Sequence, residues 1–200
     1  MKEVLISIKP KWCADIVSEK KAIEVRKSRP KLEPPFKCLI YCTKDKYEHL
    51  YDLRPYTNGT LSLSVSKHNS TSLVAGNYWN GKVIGEFVCE KISSWKDHEI
   101  HISNLSKLSC VSFSELGEYS KGGKDNLYGW HISDVKIYDK PKELSEFCST
   151  KWDMPCEYKK RGFNMDFCMV YENGIRFCKE LNCDKKRLTR PPQSWCYIED

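Results

Sequence analysis

The chain has 200 residues, 40% of them apolar and 30% charged, with a net charge of +6 and a mean hydropathy of −0.60. That composition is ordinary for a soluble globular protein able to bury a real core, and no run approaches the ~20 apolar residues that a membrane helix requires, which excludes such a helix. Eleven cysteines, an odd number, stand behind an N-terminus with no export-signal pattern, so reduced thiols in a cytoplasmic protein are expected rather than a disulfide framework.

In chain order, residues 3 to 8 alternate and branch like a strand. Pro10 suits the first turn of a helix, and Cys13, Ile16 and Val17 give it an i, i+3, i+4 apolar stripe. A second strand is predicted over residues 22 to 27. In the run Lys20-Lys21-Ala22-Ile23-Glu24-Val25-Arg26-Lys27, Glu24 and Arg26 lie two apart and therefore share a face, close to Lys20 or Lys21. From Lys20 to Lys37 seven basic residues face two acidic ones, so most of the net charge falls within this stretch. Such a patch, including Arg29 beyond the strand, attracts phosphate without specifying sequence.

Pro30, Pro34 and Pro35 break regular structure, and residues 37 to 43 read as an apolar strand buried on both sides. Residues 44 to 80 look like an insertion, with Tyr47, Leu50, Tyr51 and Leu53 spaced for a short helix. Residues 82 to 89 form a strand after Asn80-Gly81. Ser112 or Ser114 is expected to cap a helix carrying Glu115 in its first turn and ending at Gly122-Gly123. A strand follows from Leu127 to Tyr138. A hairpin is predicted from Phe163 to Val170 and from Gly174 to Cys178. Arg190-Pro191-Pro192 leads into a last strand through Trp195 and Tyr197 that closes a barrel or pairs on its edge.

Three segments carry a family resemblance. The helix leading through Lys20-Lys21-Ala22-Ile23-Glu24-Val25-Arg26 into a strand resembles the signature of ASCH domains of bacterial or phage type, a branch of the PUA-like superfamily. The Gly81 to Glu86 segment is similar to the G-x-x-x-G-E strand of those domains. Tyr128-Gly129-Trp130-His131-Ile132, followed by Tyr138-x-x-Pro141-x-x-Leu144, resembles their barrel-crossing strand and the helix after it. The likeness spans roughly residues 3 to 43, 80 to 95 and 127 to 147. It implies an α+β fold: a PUA-like, mostly antiparallel β-barrel with flanking short helices, here with a C-terminal β-hairpin elaboration. Residues 1 to 147 would form that domain, with the insertion at about 44 to 80. Residues 148 to 200 would pack on it as an extension and supply the final strand.

The resemblance further implies an RNA- or nucleotide-binding module, its basic cleft formed by Lys20, Lys21, Glu24, Arg26, Lys27 and Arg29, with Tyr128 or Trp130 stacking on a base. The same family contains amidohydrolases that remove the acetyl group from 4-acetylcytidine with a Lys and a Thr of this motif and a Glu of a later strand. Lys21, Glu24 and Glu86 would be the working groups of that alternative, but Glu24 stands where those hydrolases carry Thr, and a carboxylate does not replace a hydroxyl in acyl transfer. Binding is therefore the expected role, with RNA or a modified nucleoside as partner. His131, without an evident Asp or Cys partner, reads as structural. No cofactor is expected. Cys148, Cys156, Cys178 and Cys183, spaced C-x7-C and C-x4-C, depart from zinc-ribbon spacing, leaving a structural zinc, and a protein-interaction role for residues 148 to 184, as the alternative.

Overall fold

The computed structural model of the protein describes residues 2–54, 59, 61–66, 78–149, 169–172, 175–178 and 188–199. The first strand, β1 (Lys2–Ile8), runs into helix α1 (Pro10–Val17), where proline at the first position costs no hydrogen bond. Glu19, in the left-handed region, turns the chain out of the helix toward β2 (Ile23–Arg26). β3 (Phe36–Cys42) then pairs in parallel with β1, the crossover being made through α1 and β2.

Two long strands complete the framework, β6 (Lys82–Ser94) and β7 (Tyr128–Glu143). Among the described residues they join a seven-stranded sheet of order β2-β7-β6-β3-β1-β11-β8, with β8 at Cys148–Ser149 and β11 at Trp195–Glu199. The register between β6 and β7 shifts at three places. Each irregularity adds bend and twist, and the sheet curls into a half-barrel flanked by short helices, an α+β PUA-like architecture. β11 antiparallel to β1 places the C-terminal Trp195 and Tyr197 against the first strand.

The core has three parts. Inside the curl, Val4, Ile6, Cys38, Ile40, Phe87 and Trp130 pack together. On the other face of the same strands, Leu5, Leu39, Tyr41 and Val83 pack with Leu144 and Ile198. β1 and β3 are thus covered on both sides, as their continuous apolar sequence requires. A third cluster joins Ile23 and Val25 to Leu105 and Leu116 of the helices α2 (Ile102–Ser109) and α3 (Phe113–Tyr119). α3 begins with the capping box expected from sequence: Ser112 Oγ accepts from the Glu115 amide and Glu115 answers to the Ser112 amide.

Two local expectations are corrected. The Tyr47 to Leu53 spacing, read as helical, forms strand β4 (His49–Asp52), paired with β5 (Leu63–Ser66) in a separate two-stranded sheet. Its buried positions, Leu50 and Asp52, alternate, and Asn80 Oδ1 accepts from the Leu50 amide at 2.8 Å. β7 continues through Pro141 to Glu143, so the segment expected to enter a helix makes only a 3-10 turn at Leu144–Glu146. The predicted hairpin is present as β9 (Met169–Glu172) paired antiparallel with β10 (Ile175–Cys178), and residues 163 to 168, also assigned to it, lie outside the described residues.

Candidate functional site

The motif folds into a buried relay of charge. Residues 20 to 22 leave α1 and are caught by the C-terminus of α2: the Ala22 amide donates to Leu108 O at 2.8 Å and Cys110 Sγ donates to Lys20 O at 3.2 Å. Cys110 itself adopts the left-handed conformation that ends α2. Lys21 Nζ donates to Ser109 O, placing an ammonium at the negative end of that helix. The same ammonium lies 3.3 Å from Glu24 Oε2. Glu24 Oε1 accepts from Arg26 Nη1, and Arg26 Nη2 donates to Ser7 O of β1 at 2.6 Å. β2 is an edge strand and β1 is fifth in the sheet. Arg26 therefore bridges strands that only the curl brings face to face.

Lys21, Glu24 and Arg26 are 2%, 2% and 7% exposed. The expected sharing of one face by Glu24 and Arg26 is observed, but that face points inward. The expectation that Lys21 and Arg26 hold phosphate from an open cleft meets a different geometry, because their charged ends are spent on Glu24, Ser109 O, Val25 O and Ser7 O. Lys20 and Arg29 are exposed. Lys27 pairs with Asp125 at 2.9 Å and lies over the Tyr119 ring.

Trp130 stands directly opposite Glu24 in the register of β2 and β7, on the same face. It is fully buried, edge-on to Phe36 at 5.8 Å and tilted against Trp195 at 5.9 Å, so it is a wall rather than an open stacking platform. Tyr128, half-buried, lies opposite Arg26. Trp12 of α1, which sequence reasoning passed over, places its ring 5.4 Å from Lys21 Nζ. Its signal was a lone aromatic between Lys11 and Cys13, off the apolar stripe. Four buried polar atoms of this one chain of contacts have no hydrogen-bond partner among the described residues: Trp12 Nε1, Glu24 Oε2, Arg26 Nε and Trp130 Nε1. Glu24 Oε2 retains only its ion pair with Lys21.

Glu86 is not brought to this cluster. It lies opposite Leu39 on β3 and shares its face, the side away from the inner core that holds Trp130. There it accepts from Tyr138 Oη at 2.9 Å and lies 4.0 Å from Lys37, which also pairs with Glu3. The hydrolase set Lys21, Glu24 and Glu86 is thus divided between opposite faces of the sheet.

Solved structures with the same architecture exist. An ASCH protein from Zymomonas mobilis matches with a TM-score of 0.50 and 16% identity over 98% of this chain and 87% of that one. A serine-to-alanine variant of the Zymomonas mobilis protein matches with a TM-score of 0.53 and 16% identity over 98% of this chain and 88% of that one. This chain has an ASCH-like fold. No family profile and no curated protein matches it at the level of sequence.

Other residues of the ASCH-like domain behave as structure. Cys38, Cys42 and Cys89 are buried core thiols, as expected, and burial pushes Cys89 up to about 12. His131 Nε2 lies 2.9 Å from Ser93 Oγ, and burial, reinforced by the Lys91 ammonium, lowers its pKa. Of the cysteines considered for zinc, Cys148 is a half-buried free thiol, Cys178 contributes backbone to β10, and Cys156 and Cys183 lie outside the described residues. No helix among the described residues is long and apolar enough to cross a membrane.

Proposed function

We infer that the protein is an RNA- or nucleotide-binding module in which Trp12, Glu24, Arg26 and Trp130 recognise a base. The observation that carries this reading is the concentration, in one cluster, of buried polar atoms with no hydrogen bond among the described residues: three N–H donors, and one carboxylate oxygen held only by its ion pair with Lys21. Each such orphan costs about 1–3 kcal/mol, and native proteins hold few of them. A planar ligand with donors and acceptors along one edge satisfies both kinds at once, and a nucleobase is that ligand. The Lys21–Glu24–Arg26 relay fixes the carboxylate and carries a net positive charge that favours the polyanion. Trp12, half-buried at the surface, is the side chain whose movement admits the base, while exposed Lys20 and Arg29 meet phosphate.

The division of Glu86 from Lys21 and Glu24 favours binding over acyl-group hydrolysis. Titration calorimetry with ribonucleosides and a short mixed-sequence single-stranded RNA tests the reading on wild type, Trp12→Phe and Trp130→Phe. Each variant keeps an aromatic ring and loses one N–H. Binding about tenfold weaker in each, corresponding to one hydrogen bond of about 1.4 kcal/mol, with an unchanged circular dichroism spectrum, is the expected result. Equal affinity in all three proteins, or no binding by wild type, refutes it.

A further inference from the structure

We propose that the cleft on the outer side of Trp12 is a second subsite, which takes the phosphate-bearing neighbour of the recognised base, so that the ligand is a strand rather than a free nucleoside. The proposal rests on the base-binding reading above and adds a separate set of residues to it. The cleft has a volume of about 330 Å³ and is lined by Lys9, Lys11, Trp12 and Tyr47 together with three carboxylates, Asp45, Glu48 and Glu115. Trp12 belongs to both places, because Lys9 Nζ lies 5.6 Å and Lys21 Nζ 5.4 Å from the centroid of its ring.

The charges around the cleft divide into those already used and those left over. Asp45 Oδ1 accepts from the Tyr47 and Glu48 amides at 2.8 and 2.9 Å, which shapes the turn and holds that carboxyl below its usual range. Glu115, which also borders the cleft, is held low by the Ser112 hydroxyl and amide of its capping box. Both carboxylates serve local backbone, and both also face lysines, Asp45 the ammonium of Lys9 and Glu115 those of Lys11 and Lys9. Glu48 uses its amide and carbonyl in hydrogen bonds, but its carboxylate makes none among the described residues, nor does Lys11 Nζ. The Tyr47 ring is 65% exposed and lies 5.2 Å from the Lys46 ammonium.

Two ammonium groups, an exposed phenol ring, an indole edge and, of the three carboxylates, the one that makes no hydrogen bond among the described residues match the parts of a nucleotide. Lys9 and Lys11 meet phosphate, Tyr47 stacks on a base, and Glu48 accepts from a base that presents an amino or imino N–H. The mixed signs limit non-specific attraction of polyanions, which a purely basic groove would not do.

The test compares wild type with Lys9→Ala/Lys11→Ala, Tyr47→Ala and Glu48→Gln, all surface changes. The probes are the common ribonucleosides, their 5′-monophosphates and a short mixed-sequence single-stranded RNA. Wild type is expected to bind the RNA at least about tenfold tighter than any nucleoside. The double lysine variant should lose that advantage, with a salt dependence shallower by about 1.4 logarithmic units per decade of salt, and keep its nucleoside affinity. Tyr47→Ala should weaken RNA about tenfold, and Glu48→Gln should flatten the preference among bases. Nucleoside binding by wild type, combined with no effect of the lysine and tyrosine changes on RNA, overturns the second subsite and leaves the base-binding reading standing. No binding of any probe overturns both.

Discussion

Replacing Glu24 by glutamine removes one charge from a buried row of three and leaves two cations facing each other behind the sheet. The Lys21 to Glu24 separation of 3.3 Å corresponds to about 5 kcal/mol of attraction at an effective dielectric constant near 20. Part of that is offset in the wild type by repulsion between Lys21 and Arg26. Breaking a buried pair by removing one partner costs about 3–5 kcal/mol. Glutamine keeps an oxygen for Arg26, so the lower end, about 3 kcal/mol, is expected, or about 6–12 °C in melting temperature for a chain of this size. Thermal melts by circular dichroism and urea unfolding give the value, with the midpoint moving and the slope unchanged. A companion variant, Lys21→Met/Glu24→Leu/Arg26→Met, removes all three charges and should be more stable than Glu24→Gln, because no buried charge is left unpaired and only the carbonyls of Ser7, Val25 and Ser109 lose a donor. A Glu24→Gln shift below about 1 kcal/mol would refute the reasoning, since it would mean that solvent screens the three charges from one another.

His131 gives a pH signature. Its pKa is lowered by burial and the Lys91 ammonium, so the folded state favours the neutral ring and the unfolded chain binds the proton more readily. The stability it contributes is fully present above the ordinary histidine value of about 6.5 and is lost as the pH falls from there through the lowered folded value. Acidification should therefore destabilise wild type with a slope of at most about 1.4 kcal/mol per pH unit from this group, and His131→Asn should show a smaller slope in urea unfolding across the same range; identical slopes would contradict the assignment. The two glycines of the β6 and β7 pair should differ sharply. A Cβ at Gly85 would run into the Lys136 carbonyl oxygen and sit 3.0 Å from Ile137 Cα, both backbone. A Cβ at Gly129 would meet Ile23 Cγ2 at 2.9 Å and Leu105 Cδ1 at 3.1 Å, which are side-chain ends. Gly85→Ala should cost about 3 kcal/mol or more and Gly129→Ala about 1–2, so equal melting temperatures would count against the bent register at Gly85.

The local elements whose apolar period and end signals agree were legible in the residues themselves. β1, α1, β2 and β3 follow from alternation, Pro10 and the Cys13 and Ile16 stripe, and α3 follows from Ser112 and Glu115. The period of two also required Glu24 and Arg26 to share a face, because that property is local. Helix α2 was not read, since its sequence, Ile102-Ser-Asn-Leu-Ser-Lys-Leu-Ser109, buries only Leu105 and Ser109 and offers a weak stripe. The Tyr47 to Leu53 spacing misled for the converse reason: pairing with β5 and the Asn80 side chain outweighed a short helical pattern.

Alternation alone, however, says which side chains point together and not whether solvent or core lies beyond them. For Lys21, Glu24 and Arg26 that was decided by two distant segments. The carbonyl end of α2 closes over Lys21, and the curl of the sheet carries Ser7 of β1 to Arg26. The same curl sets Trp130 against Glu24 and sends Glu86 to the opposite face. The sequence by itself determined a charged motif on one strand face. The bends in the long β6 and β7 pair, which depend on register between residues as far apart in the chain as Lys82 and Glu143, determined that this face is the inside of the half-barrel.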